Sequence, residues 1–371
     1  MTKIIAMYLP QYHSIPENDE FWGKGFTDWV TVKKAKPLFE GHYQPKVPMN
    51  GKYYDLSKKE DVAWQCKLAK DYGVYGFGIY HYWFNNEKNL LTKPAEIIRD
   101  NKDIDMNYFF AWDNLSWRRT WSNLAGNAWA PTQEGQQKKG PATLIEYILG
   151  GEQDWKNHYD YVKTHFVEER YIKIDNKPVF IIFYNNEEIA KMCEYWNKLA
   201  KEDGFDGIYF IFRRGKKNNY LNPSATDETI FNYEPITSGW SSLSQRIATR
   251  LQRKFGITPG LKIYSYDKIW KKILKDAKGK YAKPNIYHGA FVEYDDTPRR
   301  GATRGIVVKG STPEKFKTYM SQLLQISEEQ GKQFVFLTAW NEWGEGACLE
   351  PNEKSGNDYL VSLKEIMNLS K

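Results

Sequence analysis

The strongest constraint on this chain is the alternation of short apolar runs with amphipathic segments. Runs rich in β-branched and aromatic residues lie at 3–9, 76–80, 106–111, 178–184, 207–212, 261–264, 287–292 and 333–338, and each reads as a strand. Helical patterns lie between them, at 57–72, 142–149, 155–167, 186–202, 244–254, 266–278 and 312–329. The first begins at Ser57 with Glu60 three residues on, a capping-box spacing. Strands that alternate with helices call for a mostly parallel sheet covered by helices. The chain is therefore of the α/β class, and eight such strands predict closure into a (β/α)8 TIM barrel. An open doubly wound sheet is the competing arrangement. No repeat, low-complexity tail or linker interrupts the 371 residues, so a single catalytic domain over 1–371 is expected. Three connections are long and aromatic, at 11–54, 81–91 and 114–140. Loops of that length in a compact domain usually carry function.

In such a barrel the chemistry sits at the C-terminal ends of the strands. The last run leads into Trp340-Asn341-Glu342-Trp343-Gly344-Glu345-Gly346, which sets two carboxylates among indoles and glycines. Cleavage of a sugar acetal uses a carboxylic acid to protonate the leaving oxygen and a second carboxylate opposite it. Glu342 and Glu345 are the candidate pair. On a helix, a three-residue spacing would put both on one side; in a glycine-rich loop the backbone must do so, and Gly344 and Gly346 permit the path. Neighbouring indoles can raise the pKa of one carboxyl so that it serves as the acid. Glu350, further along the loop, reads as a structural carboxylate.

Aromatic residues are the compositional outlier: 14 Trp, 26 Tyr and 19 Phe make 16% of the chain, more than a core alone requires. Rings beside Asn, Asp, Arg and His suit a cleft that stacks on sugar faces and hydrogen-bonds their rims. The first strand offers Tyr8, Gln11 and His13, and the long loop after it Trp29 and Tyr43. The second offers Tyr80, His81 and Trp83; the third offers Trp112, Asn114, Trp117 and Arg118, with Asp113 as a third acid or a loop anchor. Asp295 and Arg299 follow the seventh strand, and Trp340 and Asn341 the eighth. The arginines at 299 and 300 either bind an anionic substituent or pair with Asp295 and Asp296. Each histidine in this set has a packing role as its alternative.

The formal net charge of +7 is mild and scattered, compatible with anionic glycans, and no basic stripe suggests nucleic acid. Three distant cysteines imply no disulfide framework and lack metal-ligand spacing, so neither metal nor cofactor is expected. No run approaches a membrane span, and the N-terminal run reads as a strand rather than a leader. A cytoplasmic setting is expected, and peripheral association with a lipid-linked glycan is compatible with it.

Several islands, in order, resemble the WbsX family of polysaccharide-biosynthesis loci, which is related to glycoside hydrolase family 99. They are Tyr8-Leu9-Pro10-Gln11-Tyr12-His13, Trp22-Gly23-Lys24-Gly25-Phe26-Thr27-Asp28-Trp29, Gly41-His42-Tyr43-Gln44-Pro45, Tyr80-His81-Tyr82-Trp83-Phe84, Thr297-Pro298-Arg299-Arg300 and the Glu342/Glu345 loop. The resemblance implies a (β/α)8 barrel and retaining cleavage of α-mannoside-like linkages. It also implies Glu342 as base toward the sugar 2-hydroxyl and Glu345 as general acid/base. Two positions depart from the family pattern: Leu115 stands where an acid is usual, and Tyr294 where a tryptophan is.

The expected function is hydrolysis of a bacterial surface or capsular polysaccharide or oligosaccharide. A glycosyltransferase or transglycosylase in polysaccharide biosynthesis is the alternative, although no Gly-rich phosphate loop stands out and Asp103-Ile104-Asp105 precedes a strand. A non-catalytic glycan-binding protein would keep the aromatic platforms without a use for the paired acids.

Overall fold

The computed structural model describes residues 1–118, 143–215, 228–239 and 260–369, the side chains of Arg118 and Leu369 excepted. Eight parallel strands close on themselves: β1 (Lys3–Tyr8), β2 (Gly76–Asn85), β3 (Asn107–Trp112), β4 (Lys177–Ile182), β5 (Tyr209–Arg213), β6 (Ile230–Phe231), β7 (Ile286–Phe291) and β8 (Phe334–Thr338). Closure is made by β1, which pairs with β2 from Ile5↔Gly76 and with β8 from Lys3↔Phe334. Parallel strands packed on both faces must be apolar throughout, and β7 and β8 are buried at every position. Helices over Glu152–Phe166, Glu187–Glu202, Tyr266–Lys278 and Pro313–Glu329 cover the outside. The fold is the expected (β/α)8 barrel.

Seven of the eight expected strands enter the barrel. The run at 261–264 does form a strand, Lys262–Ser265, but it pairs with Ile306–Lys309 in a separate two-stranded sheet. The sixth barrel strand is Ile230–Phe231, which bridges β5 and β7. Two residues are too few to show a strand period, so pattern reading passes over them.

Other differences are local. The segment expected as a helix at 142–149 contributes a strand, Thr143–Ile145, paired antiparallel with Trp117–Arg118. β-branched Thr143 and Ile145 suit that pairing. The helix expected from Ser57 starts at Lys59 with Lys58 at its N-cap, and the Ser57 hydroxyl donates to Asp55 instead. The helix at 244–254 and most of the loop at 114–140 lie outside the described residues.

The long loop after β1 is ordered by two short helices, Pro16–Trp22 and Asp28–Lys34. β2 runs five residues past its expected end at 80, to Asn85, and folds back on Lys88–Leu90. That extension decides which of its aromatic residues face the barrel mouth, because successive side chains on a strand point to opposite faces.

Candidate active site

The loop after β8 is a tight hairpin. Asn341–Glu342 pairs antiparallel with Ala347–Cys348, and Trp343–Glu345 forms a single 3-10 turn between them. A 3-10 turn repeats every three residues, so side chains at i and i+3 eclipse. This brings Glu342 and Glu345 to one side without a longer helix. Gly346 closes the turn in the left-handed region, at φ 56°. Gly344 is needed for space: a Cβ there would lie 2.6 Å from both Arg299 Nε and Asp28 Oδ2.

Two buried contacts hold this hairpin to the barrel. The Asn341 side chain accepts from Leu9 N at 2.6 Å and donates to Leu9 O at 2.9 Å. Tyr12 Oη donates to Asn341 O at 2.6 Å and accepts from Trp343 N at 3.1 Å. Behind the turn, Glu350 accepts from Tyr54 Oη, Gln65 Nε2 and Trp343 Nε1, at 2.8, 2.6 and 2.6 Å. Burial pushes Glu350 up to about 7 against those donors.

Arg299 is the hub of the pair. Its Nη2 lies 2.8 Å from Asp28 Oδ2 and 3.1 Å from Glu342 Oε2, while Nη1 lies 3.0 Å from Glu345 Oε1. Three carboxylates thus share one guanidinium that is 12% exposed. One cation does not neutralise three anions in a low-dielectric site, and two carboxylates near each other raise one pKa. Glu342, only 5% exposed, is pushed up to about 8 by burial, with Glu345 and Asp28 adding to the rise and Arg299 opposing it.

The pair opens into a cavity of about 480 Å³ at the C-terminal mouth of the barrel. Tyr80 and Tyr82 of β2, Phe183, Tyr184 and Tyr233 form its aromatic walls. Tyr80 and Tyr233 share a hydroxyl contact of 2.6 Å. Asp113 and Arg213 also line it; burial pushes Asp113 up to about 6, and Arg213 opposes the rise.

Of the expected site residues, Gln11, Tyr80, Arg299, Glu342 and Glu345 line this cavity. Many of the others are engaged elsewhere. His81 and Trp83 fall on the outward face of β2: His81 Nε2 is 2.8 Å from His158 Nε2, and Trp83 stacks on His158 at 4.5 Å. Desolvation lowers His81 to about 3, which leaves it neutral between sheet and helix. Trp112 donates to Trp83 O at 2.9 Å and packs edge-on against His158. Trp117 packs on Tyr82 and Phe84.

Asn114 clamps the backbone of Tyr184 through two hydrogen bonds, of 2.7 and 2.9 Å. Tyr8 donates to Gln65 at 2.5 Å, Trp29 donates to Tyr54 O at 2.9 Å, and Trp340 packs on Phe77. His13 is buried, 3% exposed, off the cavity wall. The Arg118 side chain lies outside the described residues, as does the Arg119-to-Trp121 stretch.

Asp295 and Tyr43 line a smaller neighbouring cavity of about 270 Å³. Asp295 is satisfied by His42 and Gln44 at 2.7 Å each and by Thr297 Oγ1 at 2.6 Å. Arg300, not Arg299, pairs with Asp296, at 3.0 Å. Asp103 and Asp105 pair with Lys59 and Lys70 on the approach to β3, remote from the mouth.

Pattern reading missed Asp28, Tyr82, Arg213 and Tyr233 as wall or hub residues. Tyr82 was legible once β2 extends in register with Tyr80. Arg213 ends β5, one residue past the run read at 207–212, and Tyr233 follows the two-residue β6, which no run announces. Asp28 reaches the site from a loop helix, through a contact 271 positions away in sequence.

A parallel eight-stranded barrel with its cavity at the C-terminal mouth of the strands defines the class of (β/α)8 proteins. The chain belongs to the family described as "Glycosyltransferase WbsX", whose model matches residues 4–363. WxcX of Xanthomonas campestris pv. campestris strain B100, described as uncharacterized, is 26% identical over 373 residues, covering 98% of this chain and 49% of the relative. The chain thus spans about half the length of the curated relatives it matches.

Among solved structures, the GH99 endo-α-mannosidase of Bacteroides thetaiotaomicron, in complex with Bis-Tris propane, aligns at TM-score 0.54 and 14% identity, covering 99% of this chain and 96% of that one. A glycoside hydrolase-like protein aligns at TM-score 0.57 and 12% identity, over 99% and 94%. Those likenesses are likenesses of fold. Among the described residues no helix is long and apolar enough to cross a membrane.

Proposed function

We propose that the chain is a retaining glycoside hydrolase acting on a bacterial surface or capsular glycan, with an α-mannoside-like sugar at the cleaved bond. The observation that carries this reading is the Glu342/Glu345 pair, bridged by Arg299 in an aromatic-walled cavity. In the proposed first step, ionised Glu342 takes the proton of the 2-hydroxyl and O2 attacks C1 from the face opposite the leaving group. The C1–O bond to the leaving group breaks as Glu345 gives that oxygen a proton. In the second step Glu345 takes a proton from water, which attacks C1. The C1–O2 bond of the anhydro sugar opens, and Glu342 returns its proton to O2. Two inversions at C1 give net retention.

The high pKa of Glu342 has a consequence for this route. Below about pH 8 the resting carboxyl holds a proton, and Arg299 is the group that favours its release. Base catalysis by Glu342 therefore strengthens on the alkaline side. The fold likeness to an endo-α-mannosidase supports the choice of sugar. The family description supports a second reading, glycosyl transfer from a nucleotide-sugar or lipid-linked donor.

The test is turnover of activated α- and β-glycosides and capsular oligosaccharides, with products followed by anomeric NMR. Glu342→Gln and Glu345→Gln are expected to abolish release of a product formed first with the substrate's anomeric configuration. Transfer that appears only with nucleotide-sugar or lipid-linked donors, and no release from any glycoside, would replace hydrolysis by the second reading.

A further inference from the structure

The cavity is lined by four arginines, and they are not equivalent. Arg299 is saturated by three carboxylates. Arg300 is paired with Asp296, and Arg304 sits exposed at the end of its short helix. Arg213 differs from all of these. It is the last residue of β5, at the barrel end where substrates bind. Its guanidinium rests on three rings, with its central carbon 4.9 Å from the centroid of Phe183, 4.5 Å from Tyr184 and 5.9 Å from Tyr233.

Those rings hold the planar fork in place and strip water from its faces. The Arg213 Nε is buried and has no hydrogen-bond acceptor among the described residues. Asp113 lines the same cavity and feels the charge of Arg213, yet forms no ion pair with it among the described residues. A buried guanidinium donor without an acceptor is costly to the folded protein. The fixed fork is matched in shape by a planar or tetrahedral oxyanion.

We propose that Arg213 is a specificity-determining residue that binds an oxyanion carried by the substrate glycan, so that the cavity selects an acidic sugar. The inference rests on the reading of this cavity as a glycan site and adds to it the charge of the substrate. The acid group is either the carboxylate of a uronic-acid-type residue or a phosphate ester. Both present paired oxygens to the fork, and the experiment separates them. Arg304, exposed on the same rim, attracts the same charge from solution.

The experiment is equilibrium binding by calorimetry to the intact chain. The probes are methyl uronides, their uncharged methyl esters, hexose 6-phosphates and the neutral methyl hexosides. Wild type is expected to prefer either the uronides or the phosphates over their neutral counterparts by about tenfold or more. The preference should shrink as salt is raised. Arg213→Gln is expected to abolish the preference while retaining weak binding of the neutral sugars, and Arg213→Lys to restore part of it.

Equal affinity for charged and neutral sugars in wild type would overturn the proposal, whatever the variants do. So would a preference that survives Arg213→Gln, or no measurable binding of any acidic probe. Arg213-dependent binding without turnover would leave this inference standing and remove hydrolysis. Turnover of neutral glycosides without a preference for acid would do the reverse.

Discussion

Replacing Arg299 by glutamine removes the one cation that Asp28, Glu342 and Glu345 share at 2.8, 3.1 and 3.0 Å. Breaking a buried ion pair by deleting one partner costs about 3–5 kcal/mol, because the remaining charge is left uncompensated. For 371 residues unfolding cooperatively, each kcal/mol shifts Tm by roughly 1.3 °C, so a fall of about 4–6 °C is expected near pH 9. The deficit depends on pH. The folded pKa of Glu342 lies above its ordinary value of 4.5, at about 8. Between those values the folded state holds a proton that the unfolded state has released, so stability falls as pH rises through this window. A protonated Glu342 needs Arg299 least. The Arg299→Gln deficit relative to wild type is therefore expected to be smaller at pH 6 than at pH 9. Taking the difference between the two proteins cancels the other buried groups that titrate. Thermal unfolding followed by circular dichroism at both pH values measures it. A deficit below about 1 kcal/mol, or one identical at pH 6 and pH 9, would refute the account of three carboxylates held by one guanidinium.

Three further outcomes are expected. If Glu342 and Glu345 divide the roles of base and acid, one must be ionised while the other is protonated, so kcat/KM is expected to be bell-shaped with one limb near pH 8; a profile with no limb near pH 8 would remove Glu342 from the pair. Gly344→Ala places a methyl group 2.6 Å from Arg299 and from Asp28, and is expected to cost about 1–3 kcal/mol and most of the turnover, read by denaturant unfolding and product release. Retained activity would show that the hub tolerates displacement. Asn341→Ala strands the backbone N–H and C=O of Leu9 in the interior, and should lower stability by about 2–4 kcal/mol in a urea titration. A loss of turnover with unchanged stability would point to substrate contact rather than clamping.

The β2 segment shows how the site divides between what the sequence carries and what it does not. Tyr80-His81-Tyr82-Trp83 looks like four equivalent rim residues until the strand is known to continue to Asn85. Strand alternation then sends Tyr80 and Tyr82 to the cavity and His81 and Trp83 to the Glu152–Phe166 helix. The same outward face takes Trp112, whose neighbour Asp113 turns to the cavity. Aromatic abundance is therefore a poor locator here, because much of it serves the seam between barrel and helices.

Local pattern was sufficient for what depends on neighbours in sequence. It carried seven barrel strands, the α/β alternation, and the placing of Glu342 and Glu345 on one glycine-rich loop after β8. Apolar runs and glycine spacing encode these because strand burial and turn geometry are set within a few residues. The sixth strand, the Arg299 hub and the caged Arg213 were decided only by tertiary structure. Ile230–Phe231 is a strand because β5 and β7 flank it. Arg299 meets Asp28 across 271 positions, and Arg213 is desolvated by rings from the ends of two other strands. Charge pairing and desolvation act through space, and barrel closure is what brings those distant strand ends into one cavity.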